Sequence, residues 1–209
     1  MFRVWSLLIG YAFGNFLTAE FVSRRFSGKS SFDRGSGNPG MANIAAQDGA
    51  KSGALVLAGD LLKTFLPCLL CRMVLFPDGG ATSAAYAGLG AILGHNFPVW
   101  HHFKGGKGVS CTCAALVSVS FGYGLLACAV GGIVVLVSRY LSIGAVLIPG
   151  AFLIPAFRFY GNEVGMLTVV MTLIMLQRHM PSLKNIPTGT EPKTTFLKKR
   201  NHRKPDEHP

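Results

Sequence analysis

Six apolar runs, separated by short polar and glycine-rich stretches, set the pattern of this chain. Val4–Val22 predicts the first membrane span. Asn15, Thr18 and Glu20 are its polar positions, and Glu20 against lipid is costly, so it is expected to face a protein interior or reach the membrane surface. Gly53–Phe76 predicts the second span, interrupted by Asp60 and Lys63, whose i,i+3 spacing lets them pair on one helix face. Thr82–Trp100 predicts the third, with Gly88, Gly90 and Gly94 allowing close helix approach. Val109–Val137 is too long for one untilted crossing of ~20 residues. Its Gly122-Tyr123-Gly124 segment predicts two short helices in a hairpin, with one strongly tilted helix as the competing reading. Leu141–Phe157, with bends expected at Pro149 and Pro155, and Val164–Leu176 follow, joined by a turn at Arg158–Asn162. The pattern predicts an all-α polytopic membrane protein of about seven transmembrane helices.

Composition agrees. Half of the 209 residues are apolar and only 14% are charged, too few for a soluble domain of this size. One membrane domain, 1–187, and a basic tail, 188–209, are expected. The formal net charge of +11 is unevenly placed. It gathers in loops and in the tail, at Lys198-Lys199-Arg200 and Arg203-Lys204. No soluble basic domain is available to present this charge to nucleic acid. The positive-inside rule instead puts Arg24, Arg25, Lys29, both glycine-rich loops, Arg139, His179 and the tail in the cytoplasm, with the N-terminus and Pro77–Gly80 outside. The tail is expected to lie against anionic headgroups. Cys68-Leu69-Leu70-Cys71 lacks the polar surroundings of a redox or zinc site and reads as small apolar helix residues. Phe13-Gly14-Asn15 is a poor cleavage signal, so the start reads as membrane-anchored rather than processed.

Two loops carry candidate chemistry. Gly35-Ser36-Gly37-Asn38-Pro39-Gly40 combines three glycines with a hydroxyl and an amide. Such glycines permit dihedrals that aim successive backbone N–H groups into one concavity, which suits phosphate. Asn43 adds a short polar arm. A turn-rich connector is the plain alternative, and the stretch is not a P-loop. Lys104-Gly105-Gly106-Lys107-Gly108 offers two ammonium groups, backbone N–H groups and the start of the next helix to an anion. His95 and His179 can each transfer a proton near neutrality, or serve as interfacial structural residues. His101 and His102 diverge on a helix, and no zinc-like cluster or Ser-His-Asp arrangement is legible.

These segments, in this order, resemble the bacterial membrane glycerol-3-phosphate acyltransferases that use acyl-phosphate donors. The resemblance rests on Gly35–Gly40 with Asn43, on Ser52-Gly53-Ala54-Leu55 leading to Asp60-Leu61-Leu62-Lys63, and on Gly94-His95-Asn96-Phe97-Pro98-Val99. It continues through Phe103–Val109, Arg178-His179 and Gly189-Thr190-Glu191-Pro192-Lys193. It implies acyl transfer to the sn-1 hydroxyl of glycerol 3-phosphate, giving lysophosphatidic acid and phosphate, the first acylation of phospholipid synthesis. It implies a cytoplasmic site in the inner membrane, with no metal, coenzyme A or acyl-enzyme. By this resemblance Ser36 and His179 handle orientation and the proton. Gly35, Gly37, Asn38, Gly40, Asn43, His95, Lys104, Gly105, Gly106, Lys107, Gly108 and Ser182 bind substrate. Three positions depart from the family pattern: Ala42 stands for threonine, Ala46 for arginine and Ser182 for asparagine. Two readings follow: an active enzyme with an altered pocket, or a diverged relative that binds a lipid or a membrane-protein partner. Arg24, Arg25, Arg34, Lys51 and Arg139 are the cations that could compensate.

Overall fold

The computed structural model describes residues 1–194. Among them every regular element is helical: α1 (Phe2–Gly14), α2 (Thr18–Ser27), α3 (Met41–Asp48), α4 (Ala50–Leu70), α5 (Gly80–Asn96), α6 (Val109–Val119), α7 (Phe121–Ser138) and α8 (Leu141–Asn185). α4 runs on through a π-helical turn at Cys71–Leu75. Gly161, at φ 84° and ψ 173°, divides α8 into two arms. Ala50–Leu75, α7 and α8 are long and apolar enough to cross a membrane. α7 leaves Phe121, Leu126, Ile133, Leu136 and Val137 exposed, as a lipid-facing helix must. The chain is an all-α, polytopic membrane protein. The basic runs at Lys198–Arg200 and Arg203–Lys204 lie outside the described residues.

Breaks in the helices correct two sequence expectations. The expected span Val4–Val22 is not continuous. It stops at Gly14, and Leu17 is extended (φ −87°, ψ 95°) before α2 begins. Asn15 Nδ2 donates to Tyr11 O at 2.6 Å. Lys63 Nζ donates to Phe16 O at 2.8 Å, satisfying a carbonyl freed where the helix stops. The second correction concerns 109–137. The hairpin forms, but its break is Ser120 (φ −149°, ψ 113°), while Gly122 and Gly124 lie inside α7. Arg72, at the end of α4, donates from Nη1 to Ser118 O (2.6 Å) and Val119 O (3.1 Å). These are carbonyls that the end of α6 leaves open, and a bilayer has no water to satisfy them. Pro149 and Pro155 are accommodated within α8, and its break falls in the expected Arg158–Asn162 turn. The first loop, Ser31–Lys51, is more structured than expected, with a 3₁₀ turn at Ser31–Asp33 and the whole of α3.

The core sits between α4, α5, α6 and α8, around Phe152, Leu116, Ile92 and Met171. α1 lies against α5 through reciprocal small-residue faces. Gly10 and Gly14 press on the Ala87 and Ala91 carbonyls, and Gly90 presses on Leu7 O. A Cβ at any of the three would collide with backbone, so the two helix axes can approach only as glycine faces. At the end away from the glycine-rich loops, Glu163 holds Arg3 and accepts from Tyr86 Oη at 2.9 Å, tying α8 to α1 and α5.

This packing makes a contrast between two glycines measurable. Gly10→Leu should destabilise the purified protein by about 3 kcal/mol or more, at or beyond the top of the usual overpacking range. Gly122→Ala, where nothing lies within 4 Å, should be neutral or mildly stabilising. Thermal unfolding in detergent checks both; equal effects would contradict the close helix approach.

Candidate active site

The site is built above a buried charge. Lys63 is 6% exposed, and its three-donor ammonium has two hydrogen-bond partners and one counter-charge. Asp60 Oδ1 lies at 2.8 Å, Phe16 O at 2.8 Å and His95 Nδ1 at 2.9 Å. The Asp60 contact is an ion pair rather than a directed hydrogen bond. Because lysine only donates, His95 Nδ1 accepts. The ligating atoms of Asp60, His95 and Cys111 lie within 4.8 Å of one another, as a metal site requires. The Lys63 ammonium already touches two of the three, so the cluster contains its own cation.

His95 carries this network to the second glycine-rich loop. Its carbonyl accepts from Gly106 N at 3.1 Å, and its ring lies where a Gly106 side chain would be. Gly105 is packed as tightly against His95 O. The loop therefore needs glycine because backbone rests directly on a buried histidine. From the other side, Arg178 of α8 donates to Gly105 O (2.8 Å) and Gly106 O (3.1 Å) and lies over the Phe97 ring. Lys107 Nζ donates to Ser182 Oγ at 3.0 Å, joining the loop to the end of α8. Lys104 is exposed beside it, and Gly108, at φ 78°, turns the chain into α6.

One turn before Ser182, His179 is 1% exposed. Its Nδ1 lies 3.0 Å from Met175 O. A carbonyl only accepts, so Nδ1 carries the proton and Nε2 keeps its lone pair. That Nε2 is buried without a hydrogen-bond partner among the described residues.

The serine loop is held by its own side chains. Glu20, buried as expected, accepts from Ser31 N (2.8 Å), Ser31 Oγ (2.6 Å) and Arg24 Nε (2.5 Å). Burial disfavours its charge, but the bonds from Ser31, Arg24 and Ser30 outweigh that and hold its pKa below the ordinary glutamate value. Asn43 donates to Ser31 O and Arg34 O and accepts from Ser36 N at 3.1 Å, so both ends of its amide are engaged. Ser36 is exposed, and its Oγ accepts only a long 3.4 Å contact from Asn38 N. Gly35 and Gly37 have positive φ, and Gly40 precedes α3. The two loops meet where the Phe32 and His101 rings lie 5.5 Å apart.

The structure thus brings His95, Gly105, Gly106, Lys107, Ser182 and His179 into one region. Ser36, Asn38 and Asn43 form the neighbouring loop. Arg178, part of the Arg178-His179 motif but given no site role from sequence, is a major organiser of the site. Among the compensating cations, Arg34 is committed to Asp48 by two bonds of 2.8 and 2.7 Å, and Arg24 to Glu20. Ala42 and Ala46 lie one turn apart on the exposed side of α3. Burial lowers the pKa of Lys107 below the ordinary lysine value, with Arg178 adding to the effect and Glu191 opposing it.

A family model described as glycerol-3-phosphate acyltransferase matches residues 4–189. A glycerol-3-phosphate acyltransferase 1 of Lactobacillus acidophilus is 40% identical over 190 residues, covering 90% of each chain. A Lactobacillus johnsonii relative of the same name is 38% identical, covering 88% of each. Among solved structures, an integral membrane glycerol 3-phosphate acyltransferase in its glycerol 3-phosphate form superposes with a TM-score of 0.83 at 28% identity, covering 93% of this chain and 96% of that one. Its lysophosphatidic acid form gives 0.81.

Removing one member of the buried network should be costly, and removing both members of the ion pair less so. Lys63→Met should destabilise by roughly 3–5 kcal/mol, because Asp60 keeps a buried unpaired charge. Adding Asp60→Asn should recover part of that loss. A double-mutant cycle on unfolding in detergent checks it, and simple additivity would refute the coupling.

Proposed function

The chain belongs to the glycerol-3-phosphate acyltransferase family, and we propose from this membership and the site's geometry that it transfers an acyl group from acyl phosphate to the sn-1 hydroxyl of glycerol 3-phosphate. The products are lysophosphatidic acid and inorganic phosphate. The observation that carries the reading is the Lys107–Ser182 contact, which brings a half-buried ammonium to the helix end that holds the unpartnered His179 Nε2.

Acyl phosphate is an activated mixed anhydride, so orientation and charge stabilisation suffice without a covalent enzyme intermediate. Lys107, Lys104 and loop N–H groups hold the phosphoryl oxygens of both substrates, and Ser36 and Asn38 orient the acceptor. The hydroxyl oxygen attacks the acyl carbon, and the bond from that carbon to the phosphate oxygen breaks. The proton passes to His179 Nε2 or to the leaving phosphate. Asn43 and His95, whose described polar contacts are to protein, act as positioning residues for the two loops. Seven crossings are proposed: α1, Ala50–Leu75, α5, α6, α7 and the two arms of α8. They put the N-terminus outside and the glycine-rich loops in the cytoplasm, as the distribution of basic residues supports. The open face at Ala42 and Ala46 supports a phosphate pocket with fewer direct donors than the family pattern.

The test is turnover by protein purified in detergent, supplied with acyl phosphate and glycerol 3-phosphate and read as both products. Lys107→Met should lower kcat/KM about 10–100-fold, the loss of a charged hydrogen bond. Lys107 is charged below its depressed pKa, so KM for glycerol 3-phosphate should rise as pH climbs through the alkaline range. Lys107→Arg, which stays protonated, should flatten that rise. Ala46→Arg should lower KM up to about tenfold by returning a bidentate donor to the exposed face of α3. No turnover by the wild-type chain with several acyl phosphates would overturn the reading.

A further inference from the structure

A second cavity lies where α1 stops and α2 turns away. It measures about 590 Å³, within the range of roughly 300–1,000 Å³ typical of small-molecule sites. Phe16, Leu17, Phe21 and Trp100 supply its apolar wall, and Arg24, Arg25 and His101 stand at its rim. The amide and the carboxylate there are already satisfied. Asn15 donates to Tyr11 O and accepts from Val99 N at 2.7 Å. The Glu20 carboxylate is engaged by Arg24, Ser30 and Ser31. Arg24 bonds Glu20 through Nε, while 64% of its side chain is exposed, and Arg25 has no described partner. The unengaged donors at the cavity, among the described contacts, therefore include cationic guanidinium nitrogens of Arg24 and Arg25 over a hydrocarbon wall, beside the Trp100 and His101 rings.

The geometry points to a binding site for an anionic membrane phospholipid, with one acyl chain along Phe16, Phe21 and Trp100 and the headgroup phosphate at Arg24 and Arg25. None of the residues proposed to carry the acyl transfer lines this cavity. It does adjoin their support. His101 touches Phe32 of the serine loop, and the Pro98 carbonyl holds Phe103 N at 2.9 Å, immediately before Lys104. The same segment carries Phe97, which lies under Arg178. A lipid in this cavity therefore contacts Trp100 and His101, in the segment that leads directly into the Lys104–Gly108 loop. Cationic side chains beside an anionic surface give charge selectivity, whereas the apolar wall alone would accept any acyl chain.

The test uses the full chain in nanodiscs, without substrate, so its outcome is separate from that of the turnover assay. A Trp5→Phe background leaves Trp100 as the only tryptophan. Phosphatidylglycerol with brominated acyl chains is compared with brominated phosphatidylcholine as a quencher of Trp100. The expected result is a preference for phosphatidylglycerol of about fivefold, the effect of one basic side chain near anionic lipid. Arg25→Gln should abolish most of it and Arg25→Lys should keep it. Equal quenching by the two lipids would overturn the proposal, as would an unchanged preference in Arg25→Gln. Displacement of the quencher by stoichiometric lysophosphatidic acid would assign the cavity to the reaction's own lipid and would also overturn it.

Discussion

A lysine ammonium placed inside a membrane protein must have all its protons accepted, because no water is there to do so. Lys63 meets that demand with hydrogen bonds to one imidazole and one main-chain carbonyl and with the adjacent Asp60 carboxylate as its counter-charge. Each partner belongs to a different part of the site's foundation. Asp60 fixes the lysine within α4, Phe16 O fixes the end of α1, and His95 fixes the end of α5. From His95 the constraint reaches the Gly105–Gly106 backbone without an intervening side chain. The position of the Lys104–Gly108 loop therefore depends on a charge buried beneath it.

The polar groups of this protein divide by what they already hold. Glu20, Asn43, Arg34 and His95 make hydrogen bonds that shape loops and helix ends. Among the described residues, Lys104, Ser36 and His179 Nε2 retain unengaged capacity, and Lys107 has one neutral hydroxyl partner. A group with unengaged hydrogen-bonding capacity can accept or hold a substrate atom, whereas an engaged one first has to break a bond with the protein. The same division marks the rim of the cavity beside α2, where carboxylate and amide are engaged while Arg25 has no described partner and Arg24 bonds only through Nε.

Helix breaks serve the same purpose. In lipid, a helix can stop only where another group takes its freed carbonyls. Lys63 does so after α1 and Arg72 after α6. Each break redirects the chain, and the first also supplies the corner in which the second cavity forms. Glycine faces on α1 and α5 then let backbone lie on backbone, which brings Tyr11 close enough to hold Phe97 O. That bond anchors the segment shared by the active site and the cavity.

Hydrophobic runs determined by themselves that the chain is helical and membrane-embedded, since only helices or closed barrels satisfy a backbone in hydrocarbon and these runs lack strand alternation. The i,i+3 spacing of Asp60 and Lys63 was likewise enough to foresee their ion pair, because helix geometry is local. The Gly-Ser-Gly-Asn and Lys-Gly-Gly-Lys-Gly segments were legible from residue type as the loops on which the candidate site is built. Tertiary structure decided the rest. Gly122 and Gly124 looked like a break, yet Ser120 is the break, because a guanidinium from α4 waits there for the open carbonyls. Residue type did not disclose that Asn43 and His95 would be engaged by backbone groups and a lysine. Arg34 looked available and is bound to Asp48. In each case the outcome turned on a partner distant in the chain, and a side chain's chemistry does not disclose which partner the fold will bring to it.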